Sequence, residues 1–265
     1  MTRRCRVVVR QELGPRVRHA GSWRYALNPG SISSSSYAAA ASRVGPRWLR
    51  RWWGGSLALS EPIYDERYSR PGLYWGSKPT QLARDVVRLA HSLPRPPRTL
   101  VDLGCGEGRD SIYFARRGYR VVGVDISSVG VRKAERRASR LGVSARFLVG
   151  DLRTYRLGHR VDVVFCSGAL NNLPRRIRAT RFEHFKANTA PGGINAMNAD
   201  VPKPYIPPQT TNPFASPFRS GELLGYYWDW QVLDSGQVEF ISDASGVPHR
   251  KAMDVVIARK PAPAR

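Results

Sequence analysis

The stretch VDLGCGEGRDSIYFARRGYRVVGVD, from Val101 to Asp125, constrains the fold more than any other part of the chain. An apolar run reaches an acid at Asp102 and enters a loop of alternate glycines, Gly104, Gly106 and Gly108. "RDSIYFARRG" reads as a helix closed by Gly118, and "RVVGVD" as a second strand ending in Asp125. A strand, a tight loop, a helix and a strand make a βαβ unit, whose strands lie parallel in one sheet.

The alternation continues on both sides. "SKPTQLARDVVRLAHSL" places Leu82, Val86, Leu89 and Ala90 at helical spacing, and Pro94 to Pro97 end it. "TLVDL", "ARFLVGD" and "VDVVFCS" read as strands, and "SVGVRKAERRASRLG" as a helix closed by Gly142. A helix is expected from Arg175 to Thr189, then a turn at "PGG" and a strand near Ile194 to Asn198. The expected class is therefore α/β, Rossmann-like and doubly wound, with a mostly parallel sheet. Such sheets bind ligands outside the carboxyl ends of their strands, where the strand order reverses. Asp102 and Asp125 fall at those ends, with Glu107 and Asp110 in the loop between them.

Two ligand classes use a glycine loop after the first strand. Dinucleotide sites follow G-x-G-x-x-G. Read from Gly104, the third glycine position holds Arg109; read from Gly106, it holds Ser111. Neither frame fits, and the loop is instead D-x-G-x-G-x-G. Asp102, Glu107 and Asp110 would repel a pyrophosphate at about 4–6 Å. A ligand carrying a sulfonium and an ammonium suits them, which describes S-adenosylmethionine. Asp125 suits a pair of ribose hydroxyls, a role that does not separate the two classes. Asp151, in "VGDL", ends the third strand and faces the adenine amino group on this reading.

On these residues, with "FCSGALNNLP" after the fourth strand and "APGG" before the fifth, residues 61–260 resemble the class I S-adenosylmethionine-dependent methyltransferases. "GEGRDS" and "NPFASPFRSGELLGYYWDWQVLDSG", with the final "ARK", are similar to the TehB-type tellurite-resistance methyltransferases. The resemblance implies a seven-stranded sheet with an antiparallel last strand, expected at Asp254–Arg259. It implies S-adenosylmethionine as cofactor, held by Asp102, Gly104, Cys105, Gly106, Gly108, Asp125, Ile126, Asp151, Leu152 and Cys166. The TehB type carries a His-Arg pair in the penultimate strand. The corresponding place here reads "EFIS", with Phe240 and Ile241, while His249 and Arg250 lie nearby out of register.

Direct displacement at a sulfonium needs in-line positioning and dryness rather than a protein nucleophile. Cys105 and Cys166 are read as a small loop residue and a buried strand end, not as nucleophiles. Asn171 and Asn172 follow the fourth strand and are the candidates to position the acceptor. Arg109 is the candidate to meet an anionic acceptor or the cofactor carboxylate. Tyr74 and Trp75, in "LYWGSKP", are read either as an aromatic lid over a cation or as packing of the leading segment.

Charge bears on partners. The chain carries 43 basic and 20 acidic residues, a net +23, which favours nucleic acid, acidic membrane surface or small oxyanion substrates. Arginines outnumber lysines so heavily that genome composition explains the excess equally well. Residues 1–60 hold eleven arginines, no lysine and a single acid, Glu12, and show no sustained periodicity. They are expected to be a low-order extension ahead of a methyltransferase domain over 61–265. That extension is read as a targeting segment, as a tail touching nucleic acid or membrane through Trp48, Trp52 and Trp53, or as translated upstream sequence. Three scattered cysteines point to a reducing, cytoplasmic interior without a metal or disulfide framework. No apolar run approaches the ~18–20 residues of a membrane helix. Nothing in the pattern fixes an oligomeric state. Besides a small-acceptor methyltransferase, an RNA or protein methyltransferase and a nucleic-acid-binding protein with a non-catalytic methyltransferase fold stay open, although no RNP1 or Cys-x-x-Cys signature is present.

Overall fold

The computed structural model describes residues 57–206, 215–242 and 248–262. Expectations for residues 1–56 lie outside the described residues. The described residues begin with helix α1 (Leu57–Ser69), so the expected boundary at residue 60 falls inside a helix. There follow α2 (Gln81–Ala90), β1 (Thr99–Leu103), α3 (Arg109–Ala115), β2 (Arg120–Asp125), α4 (Ser128–Arg140), β3 (Arg146–Val149) and β4 (Val161–Cys166). A short 3-10 turn (Leu170–Asn172) leads to α5 (Arg175–Ala187), β5 (Thr189–Asp200), the single turn α6 (Glu222–Gly225), β6 (Gln231–Ser242) and β7 (His249–Arg259).

The seven strands form one sheet in the order β3-β2-β1-β4-β5-β7-β6. β1 to β5 pair in parallel, and β7 runs antiparallel between β5 and β6. The antiparallel last strand is as expected, but it begins at His249 rather than Asp254. Two smaller expectations change. α5 ends at Ala187, because Asn188 caps it and Thr189 already pairs with Val161. "PGG" is not a turn ahead of β5 but an irregularity within it, between the Val161–Thr189 and Val163–Ile194 pairs. Gly193 has to be glycine there, since a Cβ would lie 2.6 Å from the carbonyl oxygen of Asp162.

Strands covered on both faces read as continuous apolar runs, which is why "TLVDL" and "VDVVFC" carry no alternation. One face sends Leu100, Val163, Phe165, Ile194 and Ile257 against Leu82 and Val86 of α2 and Phe114 of α3. The other sends Val101, Leu103, Val164, Met197 and Val256 against Phe182 and Phe185 of α5 and the segment carrying Phe218, Tyr227 and Trp230. The order reverses at β1, which lies between β2 and β4. The crevice of the sheet therefore opens above the glycine loop and the segment after β4. Among the described residues no helix is long and apolar enough to cross a membrane.

Candidate functional site

The loop after β1 turns through left-handed backbone at Gly104, Gly106 and Gly108, with φ of 79°, 53° and 77°. Gly104 and Cys105 both donate their N–H to the carbonyl of Val124 (2.7 and 3.1 Å), tying the loop to β2. Gly104 also has no room for a side chain, since a Cβ would lie 2.2 Å from the Cβ of Ala169 in the segment after β4. The loop is thus wedged between the two strand ends that flank the switch point.

Asp125 ends β2 and is buried. Its Oδ2 accepts from Gly106 N (2.8 Å) and its Oδ1 from Ser127 N (2.9 Å). Burial raises its pKa to about 6, against the pull of those two N–H groups. Asp102 lies beneath the loop at 2% exposure and accepts from Ser111 Oγ at 2.6 Å. Burial, and then the charge of Asp110, push its pKa to about 7. Two buried carboxylates held above their ordinary value of 3.8 are stabilised in their ionised form by a cationic ligand. This chemistry fits S-adenosylmethionine and opposes a pyrophosphate.

The other two loop carboxylates are engaged by partners within the protein. Glu107 is buried, accepts from Tyr74 N (2.7 Å) and pairs with Lys133 of α4 (2.8 Å). Asp110 accepts from Thr80 N (2.7 Å) and Thr80 Oγ1 (3.1 Å). Both fasten the strap of residues 70–80 that joins α1 to α2. Arg109 joins the same work. Its Nη1 donates to the carbonyl of Trp75 (3.1 Å) and its Nη2 pairs with Asp110 (3.3 Å), so it too holds the strap.

α1 supplies residues that sequence reasoning missed. Tyr68 is buried over the loop, with its hydroxyl 2.8 Å from where a Gly106 Cβ would stand and its ring against Gly130. Burial and the nearby charge of Asp125 raise its pKa. Trp75 Nε1 donates to the Tyr68 hydroxyl (3.2 Å), and Tyr74 packs edge-on to both rings. Tyr68, Tyr74 and Trp75 thus form one aromatic lid on the glycine loop, centred on Tyr68. Asp65 accepts from Ser127 Oγ (2.5 Å) and Val129 N (3.3 Å), beside Asp125 at the start of α4. The signal for α1 was a spacing of one and three residues at Tyr64, Asp65 and Tyr68, one helical face, but of polar and aromatic groups.

After β4, Asn171 is buried and its Oδ1 accepts from Asp200 N (3.1 Å), bracing the end of β5. Asn172 exchanges hydrogen bonds with the Tyr64 hydroxyl (3.2 and 3.3 Å) and faces the lid. Of the two asparagines, Asn172 is the one bonded to α1. Asp151 lies past the end of β3, and both its oxygens are engaged by Arg153 Nε (2.8 and 2.9 Å). Ile126 is half-buried beside Asp125, and Leu152 is buried in the core. Cys105 packs with Ile112, Val131 and Phe147, and Cys166 with Leu170 and Met197. Burial raises both thiols, which keeps them protonated. His249 and Arg250, out of register in the sequence, stand directly across from Ser242 and Ile241 in the sheet. With Lys251 they begin β7 beside Asp200, at the same end of the sheet as the glycine loop.

Residues 100–193 match the family model described as a methyltransferase domain. The chain is 28% identical over 179 residues to Hemagglutinin 1 of Eikenella corrodens, covering 66% of this chain and 59% of that protein. It is 28% identical over 163 residues to ribosomal RNA small subunit methyltransferase C of Alcanivorax borkumensis, covering 58% and 47%. It is 27% identical over 160 residues to the probable S-adenosyl-L-methionine-dependent methyltransferase TehB of Haemophilus influenzae, covering 58% and 53%. The chain thus spans about half the length of the relatives it matches. The crystal structure of TehB from Haemophilus influenzae superposes with a TM-score of 0.58 at 23% identity, over 76% of this chain and 66% of that one. By its matched domain, its sheet and these relatives, the chain carries a methyltransferase domain over residues 100–193 and is similar to S-adenosylmethionine-dependent methyltransferases, the TehB type among them.

Proposed function

We propose that the chain transfers the methyl group of S-adenosylmethionine to a small anionic acceptor bound between the lid and the ends of β4, β5 and β7. The observation that carries the donor side is the Asp125 carboxylate, clamped to the glycine loop through Gly106 N and set beside buried Asp102. Asp125 would accept the ribose hydroxyls, and Asp102 would offset the positive charge of the amino-acid end. Asp151, shared with Arg153, would bound the adenine side together with Ile126 and Leu152. Bound S-adenosylmethionine supplies an electrophilic methyl group on a sulfonium.

The protein's own residues orient and dry the site. Tyr68, Tyr74 and Trp75 cover the loop and exclude water, which strengthens the electrostatics beneath them. Asn172, tied to Tyr64, presents polar atoms at the mouth. The acceptor's charge would be met by His249 and Lys251, which share one face at the start of β7, Arg250 pointing to the other. No proton need pass to the protein if the acceptor is already an anion.

A second reading, an RNA methyltransferase, is favoured by the net charge of +23 and by the ribosomal RNA methyltransferase among the relatives. Incubation with methyl-labelled S-adenosylmethionine and a panel of oxyanions, thiols, amines and RNA separates the two. Label transferred to an oxyanion supports the first reading. Label transferred only to RNA supports the second, and no transfer to any member sinks both.

A further inference from the structure

A groove of about 950 Å³ opens on the opposite side of the sheet from the glycine loop, lined by the first residue of each of β1, β2, β3 and β4. Its basic lining residues are Arg116, Arg120, Arg146, His159 and Arg160, all exposed, and its lining includes no Asp or Glu. Among the described residues none of these four guanidiniums is held in a salt bridge. Asp162, adjacent in the chain, spends its carboxylate on Arg98 N, Thr99 N (both 2.9 Å) and Thr99 Oγ1 (2.8 Å). The positive charge of the groove is therefore uncompensated from within.

We infer that this groove binds the phosphate backbone of a nucleic acid. Three features choose that partner. Arg146, Arg120 and Arg160 stand at the starts of β3, β2 and β4, spread over three strand spacings, about 14 Å. That run exceeds a single phosphate and matches several consecutive ones. The surface is concave, whereas a lipid surface is flat and asks for protruding apolar anchors. Guanidiniums spread along a groove suit backbone contacts, which position a nucleic acid without reading its bases. Strands of five to six residues separate the groove from the cofactor side by about 17–20 Å. A strand bound here is thus held by the protein without being the methyl acceptor, and the inference stands apart from the acceptor proposed above.

The test is anisotropy of labelled oligouridylate titrated with the full chain at several salt concentrations. The variant Arg120→Glu/Arg146→Glu/Arg160→Glu is compared with Arg132→Glu/Arg136→Glu/Arg176→Glu, an equal charge change on exposed faces of α4 and α5. The groove variant is expected to bind about tenfold or more weaker, and its salt slope to fall by about 2, from three lost phosphates. The comparison variant should keep most of its affinity. Equal losses in the two, or no binding by the unaltered chain, overturn the groove. So does a groove variant that loses acidic vesicles but keeps oligouridylate. Should the reversals unfold the chain, the glutamine triple variant at the same positions is read by the same criterion, with thermal melting as the folding check. Retained binding without any methyl transfer would count against the proposed function alone.

Discussion

Gly106 N donates to Asp125 Oδ2 at 2.8 Å across 19 residues of sequence, so the carboxylate that ends β2 fastens the loop that leaves β1. Replacing Asp125 by alanine removes that fastening and the ribose acceptor together. Affinity for S-adenosylmethionine should fall by about 2–4 kcal/mol. Titration calorimetry with the cofactor or its demethylated product measures this. A variant that folds and binds unchanged would take Asp125 out of the site.

Asp102 and Asp125 bind protons more tightly in the folded chain than in the unfolded one, with values near 7 and 6 against 3.8. The stability this contributes is complete below about pH 4, falls as the pH rises, and is gone above about pH 7. Asp102→Asn should flatten that decline by an amount on the order of 2–4 kcal/mol between pH 4 and 8, read from urea unfolding. Because a cation favours the ionised carboxylates, S-adenosylmethionine should bind more tightly at pH 7.5 than at pH 5.5. Affinity flat across that window would place both carboxylates away from the cofactor.

Gly72 and Gly104 share a left-handed backbone, with φ of 78° and 79°, but a Cβ at Gly72 meets nothing within 4 Å. Alanine at Gly72 should therefore cost only about 1 kcal/mol, the price of the backbone conformation. Alanine at Gly104 must also displace Ala169 and should cost roughly 3 kcal/mol or more. Denaturant midpoints of the two variants give the comparison, and equal costs would mean the loop yields freely.

Lys133 Nζ donates to the carbonyls of Arg70 (2.9 Å) and Gly72 (2.8 Å) and pairs with Glu107 (2.8 Å). Lys133→Met leaves Glu107 buried with one partner fewer and frees the strap. We expect about 1–3 kcal/mol of destabilisation, faster cofactor release and quicker tryptic cleavage near Arg70. Adding Glu107→Gln should restore part of the stability but not the strap. Unchanged release in stopped-flow would show that the strap does not retain the cofactor.

Shortening the chain tests where the domain begins. A chain starting at Leu57 keeps Tyr64, Asp65 and Tyr68 and should bind the cofactor as the full chain does. A chain starting at Arg70 loses the cover over Gly106 and should bind at least about tenfold more weakly, from lost burial and the lost Asp65 contacts. Equal affinity in the two would make α1 dispensable to the site.

The parallel core was legible because buried strands and their helices announce themselves locally. "TLVDL", "RVVGVD" and "VDVVFC" are apolar runs with glycines or acids at their ends, and Thr80 and Ser127 cap the helices that follow them. The donor side of the site was legible too, since Asp102, the glycines and Asp125 fall at strand ends by spacing alone. α1 was not, because Pro62 lies inside it and its inner face is made of Tyr64, Asp65 and Tyr68, not an apolar stripe. Glu107 and Asp110 were read as facing a ligand because their partners, Tyr74 and Thr80, lie 33 and 30 residues away. The strap contact of Arg109 was illegible for the same reason, its carbonyl partner at Trp75 being 34 residues distant.

The place of β7 bears on the order in which the molecule can be built. β6 precedes it in the chain yet touches the sheet only through it, since β5 pairs with β7 and β7 with β6. A chain emerging from the ribosome can assemble β1 to β5 as each appears, but β6 has no neighbour until the residues up to Arg259 are free. Through that interval the β5 edge stays open, with Ile194 to Asp200 awaiting their partner strand. The interval between synthesis of β5 and arrival of β7 is when this protein is most exposed to pairing with the wrong strand.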